Sequence, residues 1–343
     1  MMMVDSAFII CYIMFYSDRH FSLRMNPMEK KTAWMVKVEQ DLFLEDNQLP
    51  FFVINKLYGI AFGRAYTDIS FKDLTCNFIS QTYIPGREAA RIVGREKVSD
   101  ASHIKHLVDF LRICCLPPER NLGNSIVVDQ NQEIVITQQR MCCLPPKHKN
   151  QNPDDLDHSE DSDQFPPSAK ELKAAGIKFK ATDGKNLLDI KYENGVLQIP
   201  TLTIQDTTES ILRSLIFFEQ CHHFSDSYFT DYVFFLDALI DTPEDVQILV
   251  QHGIIKHWLG SDDEVATMVN RMTRYITIYT PNFYYSQISR KLNKHAGTRW
   301  NKWRAILKRD YFNHPWSVVS VIYLVLLLIL TVLQVYTGFR GLG

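Results

Sequence analysis

The sequence predicts a mainly α-helical body that carries a small β-hairpin and ends in a single C-terminal transmembrane helix. Three observations predict it. Apolar residues recur at helical spacing through 209–220 and 228–240. Asn194-Gly195 stands between two alternating apolar–polar runs, the strongest short-range hairpin signal. The run from Ser317 to Tyr336 holds no charged residue, and about 20 apolar residues in a helix cross a hydrocarbon core of roughly 30 Å.

Trp316 and Tyr336 bracket that run where interfacial aromatics belong. Arg299, Lys302, Arg304, Lys308 and Arg309 precede it, whereas only Arg340 follows. Lys and Arg hold their side of a span in the cytoplasm. The expected topology is therefore tail-anchored and single-pass, with a cytosolic body, and the plasma membrane is the expected address. Membrane lipid is an expected partner, since basic residues beside a span attract anionic headgroups by about 1 kcal/mol each.

A chain of 343 residues with formal charge −2 has no global field to recruit nucleic acid, so none is expected as a partner. Four of its seven cysteines form adjacent pairs, Cys114-Cys115 and Cys142-Cys143. That spacing is not a disulfide framework and fits a reducing compartment. The pairs could be acylated or simply packed. No Asn-x-Ser/Thr sequon occurs.

The chain divides into an N-terminal helical half, 1–143, an acidic linker, 144–167, a C-terminal helical half with the hairpin, 168–312, and the anchor with its short tail, 313–343. The apolar opening MMMVDSAFIICYIMFY lacks a basic leader region and a small-residue cleavage site, and it reads as a core helix rather than a signal peptide. Helices are expected from Glu29 to Glu45, Phe51 to Phe62, Ile69 to Ile79 and His103 to Cys114, with breaks at Pro50 and Pro117-Pro118. Ser125 to Thr137 reads as two short strands. The linker is rich in Pro, Asn, Asp and Ser and has too few apolar residues to order itself. Ser159 and Ser162 lie among its acids and could accept phosphate. Ser168 caps a short helix that Gly176 closes. Thr242-Pro243-Glu244-Asp245 and Ser261-Asp262-Asp263-Glu264 open two further helices. A long helix is expected from Pro281 to Tyr311.

No catalytic signature is present: no nucleophile elbow, phosphate loop, dinucleotide fingerprint or His-Glu-x-x-His. Two weak clusters stand out. Cys221-His222-His223 with Asp226 gathers ligand-type residues, though His at a helix C-terminus is an ordinary cap. His103 and His106 lie three apart beside Lys105, on what reads as a solvated face. Neither has the spacing of a metal site. The sequence thus assigns no catalytic, cofactor-binding or metal-ligating residue, and no cofactor.

Several blocks resemble, in order, the plant family called domain of unknown function 247, or uncharacterised protein family 0481. They are MMMVDSAFII, DLFLEDNQLPFFVINKLY, FPPSAKELKAAGIKFK, NGVLQIPTLTIQDTTESILRSLIFFEQC, FLDALIDTPEDVQILVQHGIIKHWLGSDDEVATMVNRM and the Trp-Arg-Ala-x-Leu to Tyr-Phe-x-x-Pro-Trp run. Family members usually carry a further upstream portion, so the chain is expected to lack that part. The resemblance implies a mostly helical, membrane-attached plant protein of unknown molecular function. Some similar grass proteins are linked to self-incompatibility as recognition determinants. The expectation is a non-enzymatic recognition or scaffold component that binds as yet unknown partner proteins. The alternative is an enzyme of unrecognised type with a pocket between the helical halves.

Overall fold

The computed structural model of the chain describes residues 2–17, 33–62, 69–81, 103–116, 164–182, 186–278 and 280–297, together with 323, 327, 330 and 331. Helix α1 (Met2–Ser17) buries Ile9, Ile10, Ile13 and Met14. It is a core helix, as its sequence predicts. Helix α2 (Ala33–Asp41) and a 3-10 turn (Glu45–Asn47) replace the single expected helix over 29–45. Helices α3 (Phe51–Phe62) and α4 (Phe71–Gln81) pack with α1, and Ser17 Oγ donates to the Leu74 carbonyl at 2.7 Å. Helix α5 (Leu107–Cys115) starts later than periodicity suggests, because His106 adopts extended backbone and caps it.

The Asn-Gln-Leu-Pro-Phe-Phe stretch is a fastener. Gln48 donates to the carbonyls of Leu42 and Leu44 at 2.9 and 2.6 Å and accepts from Val108 N at 3.2 Å. Phe51 stacks on Phe110, with ring centroids 5.5 Å apart. One amide and one ring therefore join the 3-10 turn and α3 to α5.

In the second half, Ser168 opens α6 (Ala169–Ala174) with a full capping box. Strand β1 (Lys178–Thr182) then pairs in parallel with β3 (Val196–Pro200), and β2 (Lys191–Glu193) pairs with β3 antiparallel. The β2–β3 turn is the predicted Asn194-Gly195, with φ of 52° and 77°, as a two-residue hairpin requires. Strand β4 (Leu202–Ile204) pairs in parallel with β5 (Ile255–His257). Between them lie α7 (Thr208–His222), α8 (Tyr228–Leu239) and α9 (Pro243–Gln251). Helix α10 (Asp262–Met272), a second 3-10 turn (Thr280–Asn282) and α11 (Ser286–Gly297) complete the described body. One apolar cluster runs through both halves, from Ile9 to Leu292.

The halves are bolted by a buried ion pair. Arg112 of α5 donates through Nε to Glu219 Oε1 of α7 at 3.0 Å and through Nη2 to the Asp226 carbonyl at 2.6 Å. The other carboxylate oxygen accepts from the backbone N–H groups of Phe229 and Thr230, both at 2.9 Å. Glu219 is thus the N-terminal cap of α8, supplied from a neighbouring helix. Asp245 does the same in miniature. Its Oδ2 accepts from Thr242 N at 3.0 Å, opening α9, and its Oδ1 from Lys170 N at 2.7 Å, opening α6.

The transmembrane helix requires correction. Among the described residues no helix is long and apolar enough to cross a membrane. The longest, α1, has 16 residues and packs its apolar side into the protein core, short of the span of about 20 that a bilayer needs. Of the Ser317–Tyr336 run, only Tyr323, Leu327, Leu330 and Thr331 are described, each helical. The single-pass, tail-anchored topology and the plasma-membrane address rested on that helix and fall with it. The Ser125–Thr137 strands, the acidic linker up to 163, Cys142-Cys143 and the basic residues from Arg299 to Arg309 lie outside the described residues.

Candidate recognition surface

Strand β5 is short and buried at its start, and its ladder with β4 is continued by Trp258 N, which donates to the Ile204 carbonyl at 3.0 Å. That bond fixes the backbone where the chain leaves the sheet. His257 then closes on Asp262, with Nε2 2.9 Å from Oδ1. Gly260 N donates to Glu264 Oε2 at 3.1 Å, and Glu264 N to Ser261 Oγ at 3.2 Å. A Cβ at Gly260 would lie 3.0 Å from Glu264 Oε1, so the carboxylate approaches closely only because the side chain is absent. The expected capping box is therefore half reciprocal: Ser261 caps Glu264, while Glu264 reaches back to Gly260. Within this hydrogen-bonded bend Trp258 leaves 70% of its surface in solvent.

Helix α10 buries Val265, Ala266, Met268, Val269 and Met272. Its outer side reads Asp263, Glu264, Thr267 and Arg271, acids at the amino end and a cation at the carboxyl end, with Arg274 in the turn that follows. This is the arrangement the helix dipole favours. Arg271 also pairs with Glu209 of α7, which takes Arg213 at 2.9 Å as well. Burial tends to raise Glu209, but the hydrogen bonds and charges of these two guanidiniums outweigh it and hold the carboxyl below its ordinary range. After α10 the chain turns at Tyr275, which is 96% exposed and has φ of 66°. Left-handed backbone costs a non-glycine residue roughly 1–2 kcal/mol. A bulky aromatic held there in full solvent is a local expense without a local return.

The two clusters singled out in the sequence come together elsewhere. His106 lies 4.7 Å from the Phe218 ring, His222 4.9 Å and His223 5.4 Å, and Lys105 Nζ sits 5.4 Å over the same ring. The histidines of α5 and α7 thus meet across the junction of the halves, a proximity no local spacing could reveal. His103 and Cys221 remain exposed. Burial pushes the His106 and His223 imidazoles below their ordinary range. His106 Nδ1 accepts from Asp109 N at 3.3 Å as the α5 cap. Among the described residues no group of three or more His, Cys, Asp and Glu is arranged to hold a metal ion. Cys114 and Cys115 are fully buried, which leaves that pair no access for acylation.

The buried acids are occupied in a different way. Glu219 and Asp245 cap helices, and Asp109 Oδ2 accepts from Lys105 N at 2.9 Å. Asp231 of α8 accepts from Tyr284 N at 2.7 Å through Oδ2, while its buried Oδ1 has no hydrogen-bond partner among the described residues. Burial pushes this carboxyl up to about 7; the Tyr284 N–H opposes the rise and Glu219 adds to it.

Sequence reasoning missed this surface. Trp258 and Tyr275 belong to segments whose apolar residues look like core, and only burial distinguishes them.

The family model for a plant protein of unknown function, DUF247, matches residues 1–330. The chain is 23% identical to the UPF0481 protein At3g02645 of Arabidopsis thaliana, over 98% of this chain and 73% of the relative. It is 25% identical to the UPF0481 protein At3g47200 of the same plant, over 97% of this chain and 66% of the relative. No solved structure matches it. With the family model spanning nearly its whole length, the chain belongs to the plant DUF247 family of proteins of unknown function.

Proposed function

We propose that this chain is a non-enzymatic recognition or scaffold component that binds partner proteins through α10 and its flanking aromatics. The observation that carries the reading is the exposure of Trp258 and Tyr275 at the two ends of one firmly packed helix. Aromatic side chains on a rigid frame are the usual anchors of protein interfaces, since they bury much area at little cost in entropy. A role of the kind linked to self-incompatibility in similar grass proteins would need such a surface.

The test is proximity labelling in plant cells with the full chain, wild type against a Trp258→Ala/Tyr275→Ala double variant. The proposal expects a defined set of protein neighbours that the double variant loses while remaining folded and equally abundant. An unchanged set of neighbours would count against it.

A further inference from the structure

We infer that the junction of the two halves is a pH-sensitive switch, in which a proton taken up by His106 frees the amino end of α5 from α7. The cap of α5 carries the inference. His106 stands in extended backbone, and its Nδ1 accepts from Asp109 N at 3.3 Å. An imidazole nitrogen accepts only while it is bare, so the native ring keeps its hydrogen on Nε2. A second proton must go to Nδ1. The cap is then lost, Asp109 N is left without its acceptor, and a positive charge stands where the helix dipole opposes it. The same first turn holds α5 to the rest of its own half, through Val108 N on Gln48 and Phe51 N on the Lys105 carbonyl at 2.8 Å. The bolt to the other half, Arg112 on Glu219, follows within two turns.

The surroundings also oppose the charge. His106, His222, His223 and Lys105 all lie against the Phe218 ring of α7. An aromatic face attracts a cation, and Lys105 already supplies one there. Each further proton adds a like charge beside it. The closest acids are engaged, Asp109 with Lys105 N and Glu219 with Arg112 and the first N–H groups of α8. Asp226, past the end of α7, is exposed, as is His103 before the cap. The 3-10 turn carries the acids Glu45 and Asp46, and α3 carries only the exposed Lys56. Burial holds the His106 imidazole below its ordinary range; Asp109 opposes the drop, while His222 and Lys105 add to it. Burial holds His223 down in the same way, with Arg112 and Lys105 adding to it. A ring held down in the closed junction binds its proton more readily once released, so opening takes up protons. It is suppressed above the ordinary imidazole value of about 6.5 and grows as pH falls below it. Asp231 has the opposite sign, since acid favours its native, protonated form.

Hydrogen exchange on the full chain between about pH 8 and about pH 5, corrected for intrinsic rates, tests this. Protection of the amides of 107–112 should fall at least about threefold on acidification, while the β1–β3 ladder keeps its own. His106→Asn should hold its protection across the range, because asparagine caps a helix but does not titrate there. In wild type the His106 ring resonances should titrate with the same midpoint as the loss of protection, below the ordinary imidazole value. Wild-type protection that ignores pH, a loss shared equally by the β1–β3 ladder, a His106→Asn chain that loosens as wild type does, or a His106 titration with a separate midpoint would each overturn the inference. The ring titration is read on the wild-type chain, so the test does not depend on how well the variant folds.

Discussion

Single residues carry much of this fold's specification, and Glu219 is the clearest case. Its carboxylate is fully buried, paired with Arg112 and bonded to two N–H groups of α8. Removing it strands a guanidinium in the core and uncaps a helix. Glu219→Ala should therefore cost about 3–5 kcal/mol, the usual penalty for breaking a buried pair from one side, read by chemical denaturation. Asp231 makes the opposite case. Its carboxyl is raised from 3.8 to about 7 in the folded chain. Between those values the unfolded chain has released the proton that the native chain keeps, so native stability falls as pH rises through this window and then levels off. The full penalty is about 4 kcal/mol at most. Asp231→Asn should thus be the more stable protein at about pH 8, with the advantage fading toward about pH 4. Denaturation midpoints across that range check the sign, and an advantage that grows on acidification would contradict it.

At the scale of elements, what could be read from the sequence follows from how local each signal is. The Asn194-Gly195 hairpin was legible because the turn's left-handed backbone is written in two residues. Gly195 has φ of 77°, and a Cβ added there would meet nothing within 4 Å. Gly195→Ala should therefore cost only the conformational term, about 1 kcal/mol, with no clash to add to it. Thermal denaturation would show this, and a much larger loss would mean the turn is under tertiary load. Helices α7, α8 and α9 were equally legible from period and caps. Strands β1, β4 and β5 were not. Each is three to five residues long, and each finds its parallel partner only after an intervening stretch of chain, so neither length nor a turn residue announces it. The expected Pro281–Tyr311 helix is replaced by a 3-10 turn and a later start at Ser286. There Tyr284 N turns aside to Asp231, and Tyr285 Oη donates to the Leu188 carbonyl at 2.9 Å.

At the scale of the whole molecule, a mainly helical body was readable, whereas the continuity of its core across the two halves and the exposure of Trp258 and Tyr275 were not. Periodicity reports which residues are apolar, and it predicts burial for all of them alike. Trp258 and Tyr275 escape that prediction because hydrogen bonds at the end of β5 and the left-handed turn after α10 aim them outward. The histidines at Phe218 stayed separate in the sequence for a related reason, since more than a hundred residues part α5 from the end of α7. The central claim is that the aromatic-flanked face of α10 is covered when the protein works. Hydroxyl-radical footprinting of Trp258 and Tyr275 tests it most directly, comparing dilute purified chain with the same chain in plant extract. The account predicts ready oxidation of both side chains in the dilute protein and protection of both together in the extract. Equal oxidation under the two conditions would contradict it.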